Sequence, residues 1–393
     1  MNDRISQWLA GRVESALASR LPSDFPAVGL RLADGDMRAI GRGSVTATIV
    51  VNSRRGLTAL ASMDLTRIAE AYRDGAIDVE GSLHRVLALR GAFNDRHPLT
   101  SAWRFLRPRL FGQVDSDKKW IADHYERDAD FYLAFLDRRH RCYSQALFTS
   151  PDEALEDAQT RKLDAAADAL GLRPGARVLD VGGGWGAFTE HGGRRGLHVT
   201  SLTISKASEQ FIQGIINTQS LPCRVLRQHL MEHESAEPYD GIVNLGVTEH
   251  LPDYPATLKA YQRLLKPGGF IYLDASAARE SHNYSAFLLR HLFPGNGTTL
   301  CLHTYLEAVA ASPFEVRRVH NDRENYRLTA WHWARNLDAR RAEIEARFGA
   351  ETWRTFRLYL WGCVDGFERD MVQAYRWVLH LPNPQKESSF PWT

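Results

Sequence analysis

The chain has 393 residues, of which 44% are hydrophobic and 24% charged, and its formal net charge is +2. This length favours two domains, and the balanced charge is not that of a nucleic-acid-binding domain, which is strongly basic. Four widely spaced cysteines without a Cys-x-x-Cys pair indicate neither a metal site nor a disulfide framework. Because neither a signal-peptide pattern nor a membrane-spanning apolar run is found, we expect a cytoplasmic protein that meets a membrane only at the surface of its inner face.

The first 95 residues predict a small α+β domain. Six apolar side chains fall on one stripe of an N-terminal helix: Ile5, Trp8, Leu9, Val13, Leu17 and Leu21. This helix either packs on its own domain or lies on a membrane surface. Residues 28–32 and 44–51 have the apolar patterns of strands, and residues 64–72 and 83–93 have those of helices.

Arginine and aromatic residues are mixed between residues 96 and 117, which predicts a basic, aromatic linker. The linker either packs on the following domain or faces anionic phospholipid headgroups, where each exposed cation contributes about 1 kcal/mol. The second domain runs from residue 118 to 393. Within it, helices are predicted at 119–137 and 152–170, and strands and helices then alternate up to Asp274, which is typical of a parallel, doubly wound sheet.

A glycine-rich turn follows the first strand of this sheet. Val178, Leu179 and Val181 are typical of a buried strand, and four glycines between residues 182 and 186 let the backbone turn tightly into a helix. Such a turn points backbone N–H groups at a ligand, and Asp180 adds a carboxylate. The pattern Asp-x-Gly-x-Gly-x-Gly fits the nucleoside-binding turn of class I S-adenosylmethionine (SAM) methyltransferases better than the Gly-x-Gly-x-x-Gly turn of dinucleotide folds.

The following strands bring further side chains to the carboxyl edge of the sheet, where ligands bind in open α/β folds. The predicted strands span residues 197–203, 223–229, 239–246 and 270–274. Thr203 ends the first of these, and Gln228 lies near the end of the second, where the adenine of SAM would bind. Glu249 follows the third strand and Asp274 ends the fourth, so both carboxylates are expected at this edge.

Several spaced motifs occur together in one order along the chain. They are residues 45–49 with 69–81, 124–125, 130–132, 135–137, 143–144, 156–159 with Lys162, 177–186, 203–206, 293–295, and Tyr326 before 329–331. With these motifs the chain resembles the cyclopropane-fatty-acid-phospholipid synthase family over nearly its whole length. The resemblance implies a class I SAM methyltransferase fold with a Rossmann-like seven-stranded sheet, preceded by an α+β lipid-binding-type domain. It also implies SAM-dependent transfer of a methyl or methylene group to a cis double bond in an acyl chain of a membrane phospholipid.

The resemblance further implies a set of SAM contacts. They are Tyr143, Ser144, Asp180, Gly182, Gly184, Trp185, Gly186, Thr203, Ser208 and Gln228. In the family, the alkene attacks the methyl group of SAM, and a bound bicarbonate then removes a proton so that the ring closes. Glu249 and Tyr326 match two of the family's bicarbonate ligands, whereas Gln145, Asp274 and Ser276 stand at its cysteine, histidine and isoleucine positions.

The aspartate in place of the family's histidine changes the expected electrostatics. Asp274 adds a second carboxylate near Glu249, and two anions in an apolar cleft disfavour a third, so bicarbonate binding is in doubt. Three outcomes stay open: one of these two carboxylates is itself the base, or ring closure is lost and a methyl-branched or methylated unsaturated chain results, or another olefin is the substrate. Cys363 matches a further cysteine of the family, although the chemistry needs no thiol there.

Two functions outside phospholipid modification also stay open, namely a SAM methyltransferase acting on a small soluble acceptor and an inactive lipid-binding homologue. The expected partners are phospholipid acyl chains at a membrane surface and not nucleic acid, and a homodimer is left open. Apolar residues between 281 and 312 are predicted to form either the wall of an acyl tunnel or ordinary core: Leu288, Leu289, Leu292, Phe293 and Leu300.

Overall fold

The computed structural model describes residues 4–94, 129–279, 285–293 and 299–383. The predicted linker at 96–117, the start of the helix predicted at 119–137, and the C-terminal tail beyond 383 lie outside the described residues, as do parts of the predicted acyl wall. The described residues form two compact units. The first unit contains residues 4–94, 285–293 and 337–366, and the second contains residues 129–279, 299–336 and 367–383.

The N-terminal elements form a four-stranded sheet with strand order β2-β1-β3-β4. The strands are β1 Val28–Arg31, β2 Met37–Ile40, β3 Ala47–Val51 and β4 Ile77–Gly81. The helices are α1 Arg4–Arg20, α2 Arg54–Ala61, α3 Leu65–Arg73 and α4 Leu83–Leu87, the last continuing as a 3-10 helix Ala88–Ala92. Caps explain two of these starts, because the side chains of Ser53 and Asp64 accept backbone N–H groups from the first turns of α2 and α3.

The predicted apolar stripe of α1 is wrong at its N-terminal end. The buried residues of α1 are Ser6, Ala10, Val13 and Leu17. Ile5 and Trp8 are instead 50% and 59% exposed. The buried face of α1 runs from Leu17 back through Ala10 and Ser6, at helical spacing. The small side chains of Ala10 and Ser6 let α1 pack closely. The larger residues Ile5 and Trp8 therefore lie beside the buried face.

The elements of the second half follow an alternating pattern up to a long strand. The helices are α5 Ala129–Leu133, α6 Leu155–Leu170, α7 Ala187–Arg194, α8 Lys206–Gln219 and α9 Tyr254–Leu264. The strands are β5 Arg177–Val181, β6 His198–Thr203, β7 Arg224–Arg227, β8 Tyr239–Leu245 and β9 Leu265–Ala278. Two 3-10 helices, Leu230–Glu232 and Thr248–His250, follow β7 and β8.

The remaining elements complete both units. The helices are α10 Ala286–His291, α11 Leu302–Ala310, α12 Arg323–Ala339, α13 Arg341–Phe348 and α14 Ala350–Glu368, and the strands are β10 Leu300–Cys301, β11 Glu315–Asn321 and β12 Gln373–His380. Within the first unit, α14 is tied to the N-terminal elements, since Arg354 pairs with Asp78 at 2.7 Å and Arg357 donates to the Tyr72 hydroxyl at 2.9 Å. From the sequence, these late segments were predicted to belong to the second domain, because pairings so distant along the chain leave no local pattern.

The large sheet has eight strands in the described part of the chain. Seven follow the order β11-β12-β9-β8-β5-β6-β7, and the two-residue β10 pairs with β9. β5 to β9 pair in parallel, whereas β12 runs antiparallel to both β9 and β11. The predicted α/β fold of class I SAM methyltransferases is therefore confirmed, with one short strand more than the seven predicted.

Strand β9 is much longer than predicted. It spans Leu265–Ala278 rather than 270–274, because β12 pairs with it from Phe270 to Ala277. Asp274 consequently lies within the strand, and the prediction that it ends the strand is wrong. Side chains alternate along β9, so Tyr272 packs in one core cluster while Leu273 and Ala275 pack in another. Asp274 and Ser276 therefore share the face of Tyr272.

Among the described residues, no helix is both long enough and apolar enough to span a membrane.

Candidate active site

The glycine-rich turn after β5 has a backbone that other residues would strain. Gly182, Gly184 and Gly186 have φ angles of +78°, +53° and +79°. A Cβ atom on Gly183 would lie 1.9 Å from Ser201 Oγ, and one on Gly182 would lie 2.3 Å from a methyl carbon of Val247. Because neither position has room for a side chain, Gly182 and Gly183 can present only backbone to a ligand.

The buried carboxylate of Asp180 stabilises this turn. Its carboxylate accepts hydrogen bonds from the hydroxyls of Thr189 and Ser201, both at 3.0 Å. These partners lie on α7 and β6, so one buried side chain joins three elements around the turn. Burial raises the pKa of Asp180 to about 6, although the two hydroxyl donors and Lys162 oppose this rise.

A cavity of about 170 Å³ lies at the carboxyl edge of the sheet, beside the turn. It is lined by nine of the ten residues predicted to contact SAM: Tyr143, Ser144, Asp180, Gly182, Gly184, Trp185, Thr203, Ser208 and Gln228. The tenth, Gly186, does not line the cavity. It caps the N-terminus of α7, and a Cβ atom on it would point toward Ile215 and Ile212 instead.

Aromatic rings form one wall of this cavity. The ring of Tyr143 packs against Tyr132 and Trp333, each with centroids 5.4 Å apart. Trp185 packs against Tyr132 and Phe211, each at 5.6 Å. Two of these four contacts are edge-to-face and two are tilted, and together they fix ring orientation and keep the wall apolar. Such a wall excludes water and can face a cation.

The polar residues that line the cavity form some hydrogen bonds to other groups of the protein. Thr203 Oγ1 accepts the backbone N–H of Ser205 at 3.2 Å. Ser208 Oγ donates to the carbonyl of Gly184 at 2.5 Å, which stabilises the glycine turn rather than reaching a ligand. The amide of Gln228 pairs with His233 Nδ1 at 2.9 Å through its oxygen, which leaves its NH₂ group available. Hydroxyl and amide groups of this kind suit a nucleoside.

These features together fit SAM. The turn permits close approach of backbone N–H groups at the start of α7, and the aromatic wall suits a sulfonium cation. Thr203, Gln228 and the apolar side chains of Leu230 and Leu251 would hold the ribose and the adenine. Thr203 stands where many related folds carry an acidic residue, so the ribose would be held without a second carboxylate.

Lys162 is a buried residue of this site for which the sequence predicted no role beyond membership of a motif. It is 1% exposed, it lines the cavity, and its Nζ donates to Ser144 Oγ at 2.9 Å. Gln159, one turn earlier on α6, donates to the carbonyl of Ser144 at 3.0 Å. The signal for both was present in the sequence, because they are polar residues within the apolar stripe of an amphipathic helix.

Glu249 lies in the 3-10 helix Thr248–His250, next to cavity-lining residues. Its Oε1 accepts the backbone N–H of Ser276 at 2.6 Å and the Ser276 hydroxyl at 2.9 Å. Its Oε2 is buried without a hydrogen-bond partner among the described residues. Burial raises the pKa of Glu249, although the Ser276 donors oppose this rise. The carboxyl group can therefore hold or accept a proton.

Asp274 lies behind Ser144, whose hydroxyl hydrogen-bonds to its carboxyl group. Burial raises the pKa of Asp274 to about 7; Lys162 opposes the rise, while the carboxylates of Glu249 and Asp322 add to it. Its Oδ2 is also buried and has no partner in the described part of the chain. The two carboxyl groups predicted to be close are thus close enough to affect each other's ionisation.

The other predicted catalytic residues have different positions. Gln145 is fully buried, and its Nε2 donates to Asp322 at 2.9 Å. The Tyr326 ring stacks on Phe367 at 4.7 Å, and Tyr326 does not line the cavity. Cys363 belongs to the first unit, and desolvation raises the pKa of its thiol to about 12, so it is protonated. The structure therefore places Gln145, Glu249 and Asp274 in one buried cluster, and neither these three residues nor Tyr326 is among those that line the cavity.

The residues predicted to form the wall of an acyl tunnel are divided between the two units. Residues 288–293 belong to the first unit, where Phe293 packs on Tyr359 at 5.4 Å. Leu300 is fully buried in the core of the second unit. For these described residues, ordinary core packing accounts for their burial.

Two relatives are similar to the chain over most of its length. A sphingolipid C9-methyltransferase of Candida albicans is 24% identical over 79% of this chain, which spans 64% of that protein's length. A probable fatty acid methyltransferase of Pseudomonas putida is 26% identical over 93% of this chain and 94% of its own length. The second match includes the N-terminal elements as well as the large sheet.

A solved structure gives a similar result. The crystal structure of a mycolic acid cyclopropane synthase complexed with SAH and CTAB matches with a TM-score of 0.62 and 27% identity, covering 67% of this chain and 98% of the other. The family model for mycolic acid cyclopropane synthetase matches residues 113–377, which is more than half of the chain. The chain therefore belongs to the mycolic acid cyclopropane synthetase family of SAM-dependent methyltransferases.

Proposed function

We propose that this enzyme transfers a methyl or methylene group from SAM to the cis double bond of an unsaturated acyl chain in a membrane phospholipid. The observation that carries the proposal is the cavity at the glycine turn, which nine predicted SAM contacts line in a chain of this family. The names of the two relatives, one a fatty acid and one a sphingolipid methyltransferase, support a lipid acceptor.

SAM supplies an electrophilic methyl group, and the residues of this chain supply position and dryness. The turn from Gly182 to Gly184 would fix the donor, while the rings of Tyr143 and Trp185 exclude water from the approach of the alkene. Attack by an alkene leaves a carbocation, which needs a nearby proton acceptor. Glu249 would provide it, because its Oε2 is buried and free of hydrogen bonds among the described residues.

A second candidate is methylation without ring closure, in which the carbocation loses a proton from a chain carbon and gives a methylated unsaturated chain; a saturated methyl-branched chain would also need a hydride donor. The changed residues Gln145, Asp274 and Ser276 favour this candidate, because the fate of the carbocation depends on which group takes the proton and from which carbon. A small soluble acceptor and an inactive lipid-binding protein are further outcomes that the experiment below separates.

The decisive experiment expresses the protein in a bacterial host that lacks its own cyclopropane synthase and analyses the fatty acids by mass spectrometry. We expect acyl chains that have gained one CH₂ group, with fragmentation showing either a ring or a branch. The Glu249→Gln variant should lose this product while it still binds SAH. Unchanged acyl chains, together with tight SAH binding by the purified protein, would reject a phospholipid substrate.

We also propose that α1 contacts an anionic phospholipid surface. Its exposed side carries Ile5 and Trp8 beside Arg4 and Arg12, and the guanidinium of Arg12 lies 5.2 Å from the Trp8 ring. Aromatic and cationic side chains on one exposed side are typical of helices that lie in a membrane interface.

Sedimentation with anionic phospholipid vesicles tests the membrane contact. Trp8→Ser should weaken binding by roughly tenfold, because the indole no longer enters the interface. Leu306→Ser is the matched control, since Leu306 is also exposed but lies on α11 in the second unit. Equal vesicle binding by the Trp8 variant and the wild type would exclude α1 from the contact.

A further inference from the structure

The buried cluster around Glu249 offers acceptors where a bound anion needs donors. Both donors of Ser276 are already used, because its N–H and its hydroxyl each donate to Glu249 Oε1. The NH₂ group of Gln145 donates to Asp322. Three buried acceptor oxygens, Gln145 Oε1, Glu249 Oε2 and Asp274 Oδ2, have no partner among the described residues. Bicarbonate, which the family resemblance implies, therefore does not fit this cluster.

The charges lead to the same conclusion. The titratable groups that interact with Asp274 are Lys162 from α6, Cys142 from the segment before α6, Glu249 from the 3-10 helix, Asp322 from the segment before α12, and Tyr272 from β9, while Arg376 on β12 is its cross-strand neighbour. Arg376 lies 3.0 Å from Asp322, and Lys162 donates to Ser144, so both cations are already engaged. When all three carboxyl groups are ionised they outnumber the two cations, and a further anion would then be repelled.

We propose that the carboxyl pair of Glu249 and Asp274 is the proton acceptor of this enzyme, and that its reaction proceeds without bound bicarbonate. This inference rests on the proposed function, since it concerns the carbocation that methyl transfer to an alkene produces. Glu249 is the catalytic residue of the pair. Asp274 is a positioning residue, which Ser144 and Lys162 connect to the cavity wall.

The step balances without any other reactant. The π electron pair of the alkene forms a bond to the methyl carbon, and the pair of the broken carbon–sulfur bond stays on sulfur. A C–H bond of the transferred methyl group then breaks, its electron pair closes the ring, and the proton moves to Glu249 Oε2. For a methylated unsaturated product, the same oxygen takes the proton from the neighbouring chain carbon instead.

Direct binding tests the exclusion of bicarbonate independently of any activity. ¹³C-labelled bicarbonate is titrated into the purified protein saturated with SAH, and its NMR linewidth and shift are followed. The wild type should show no saturable binding. Asp274→His should gain it, because a ring N–H replaces a carboxylate oxygen, whereas Asp168→His, at an exposed position of α6, should not. Saturable binding by the wild type would overturn the proposal.

Activity gives the second test, with cis-unsaturated phospholipid vesicles in buffer freed of CO₂. The rate of product formation should stay within twofold of the rate with added bicarbonate, and Glu249→Gln should reduce it at least a hundredfold. In Asp274→Asn, the acidic limb of the pH–rate profile should move to lower pH, because Glu249 loses a neighbouring negative charge. A rate that depends on bicarbonate, or an active Glu249→Gln, would refute the inference. If no olefin reacts at all, the proposed function fails, while the titration still decides on bicarbonate.

Discussion

The glycine turn and the carboxyl cluster lie in one unit but are built in opposite ways. At the turn, backbone and close packing leave no room for change, as the 1.9 Å distance from a Cβ on Gly183 to Ser201 Oγ shows. In the cluster, Glu249, Asp274 and Gln145 each keep an acceptor oxygen without a partner among the described residues. Backbone geometry therefore constrains how a donor could bind, whereas in the proposed reaction replaceable side chains would control what happens to the carbocation. Donor binding and product chemistry should therefore respond to different substitutions.

The largest effect is expected at the turn. Gly183→Val would force Cβ and two methyl groups against Ser201 and Ile212, so β6 and α8 would have to move. We expect the affinity for SAH, measured by calorimetry, to fall more than a hundredfold and the free energy of unfolding to fall by about 4 kcal/mol.

Gly214→Ala on α8 is the control for this substitution. No atom lies within 4 Å of a Cβ built on Gly214, so alanine should stabilise the helix by about 0.5–1 kcal/mol and leave SAH binding unchanged. If Gly183→Val bound SAH normally, the turn would not be the rigid part of the site.

Lys162 connects the glycine turn with the carboxyl cluster. A smaller effect is expected from Lys162→Met. Removing the buried ammonium leaves the Ser144 hydroxyl and the Asp274 carboxyl without their cation, which should lower the free energy of unfolding by about 3 kcal/mol. The loss should be greater at pH 8 than at pH 5, because Asp274 is protonated in the folded protein at the lower pH. Urea denaturation at both pH values measures it.

The double variant Lys162→Met with Asp274→Asn tests whether the two side chains interact. Asparagine carries no charge that needs the ammonium, so the double variant should lose less stability than the two single variants added together. Strict additivity would mean that Lys162 and Asp274 do not interact.

The smallest effect is the pH dependence that Asp274 alone confers. Its folded pKa of about 7 lies above the unfolded value of 3.8, so the folded state keeps a proton that the unfolded state releases. The wild type should therefore lose stability relative to Asp274→Asn as the pH rises from 4 through 7, by at most about 1.4 kcal/mol per pH unit, and the difference should become constant about one unit above that range. A difference that does not change with pH would place the pKa of Asp274 near its ordinary value.

Local patterns in the sequence predicted one part of the site well. The strand at Val178–Val181, the glycine turn and the ends of the next strands all follow from neighbouring residues, and nine of ten predicted SAM contacts line one cavity. Gly186 was the exception, since only packing against Ile215 shows that it faces the helix behind the turn.

Other features could not be predicted because they depend on distant residues. The length of β9 comes from pairing with β12, about a hundred residues later, and this pairing put Asp274 inside a strand. The exposure of Ile5 and Trp8 depends on which side of α1 the sheet accepts. The buried position of Lys162 depends on Ser144 being held near it by the rest of the fold.

By itself, the sequence determined the fold class, the glycine turn and the family, because each follows from short patterns whose physical requirements are local. Only the tertiary structure decided which charged side chains share a buried environment and which donors are already used. Ionisation and hydrogen bonding depend on every neighbour in space, and for Glu249 and Asp274 those neighbours come from five separate segments of the chain.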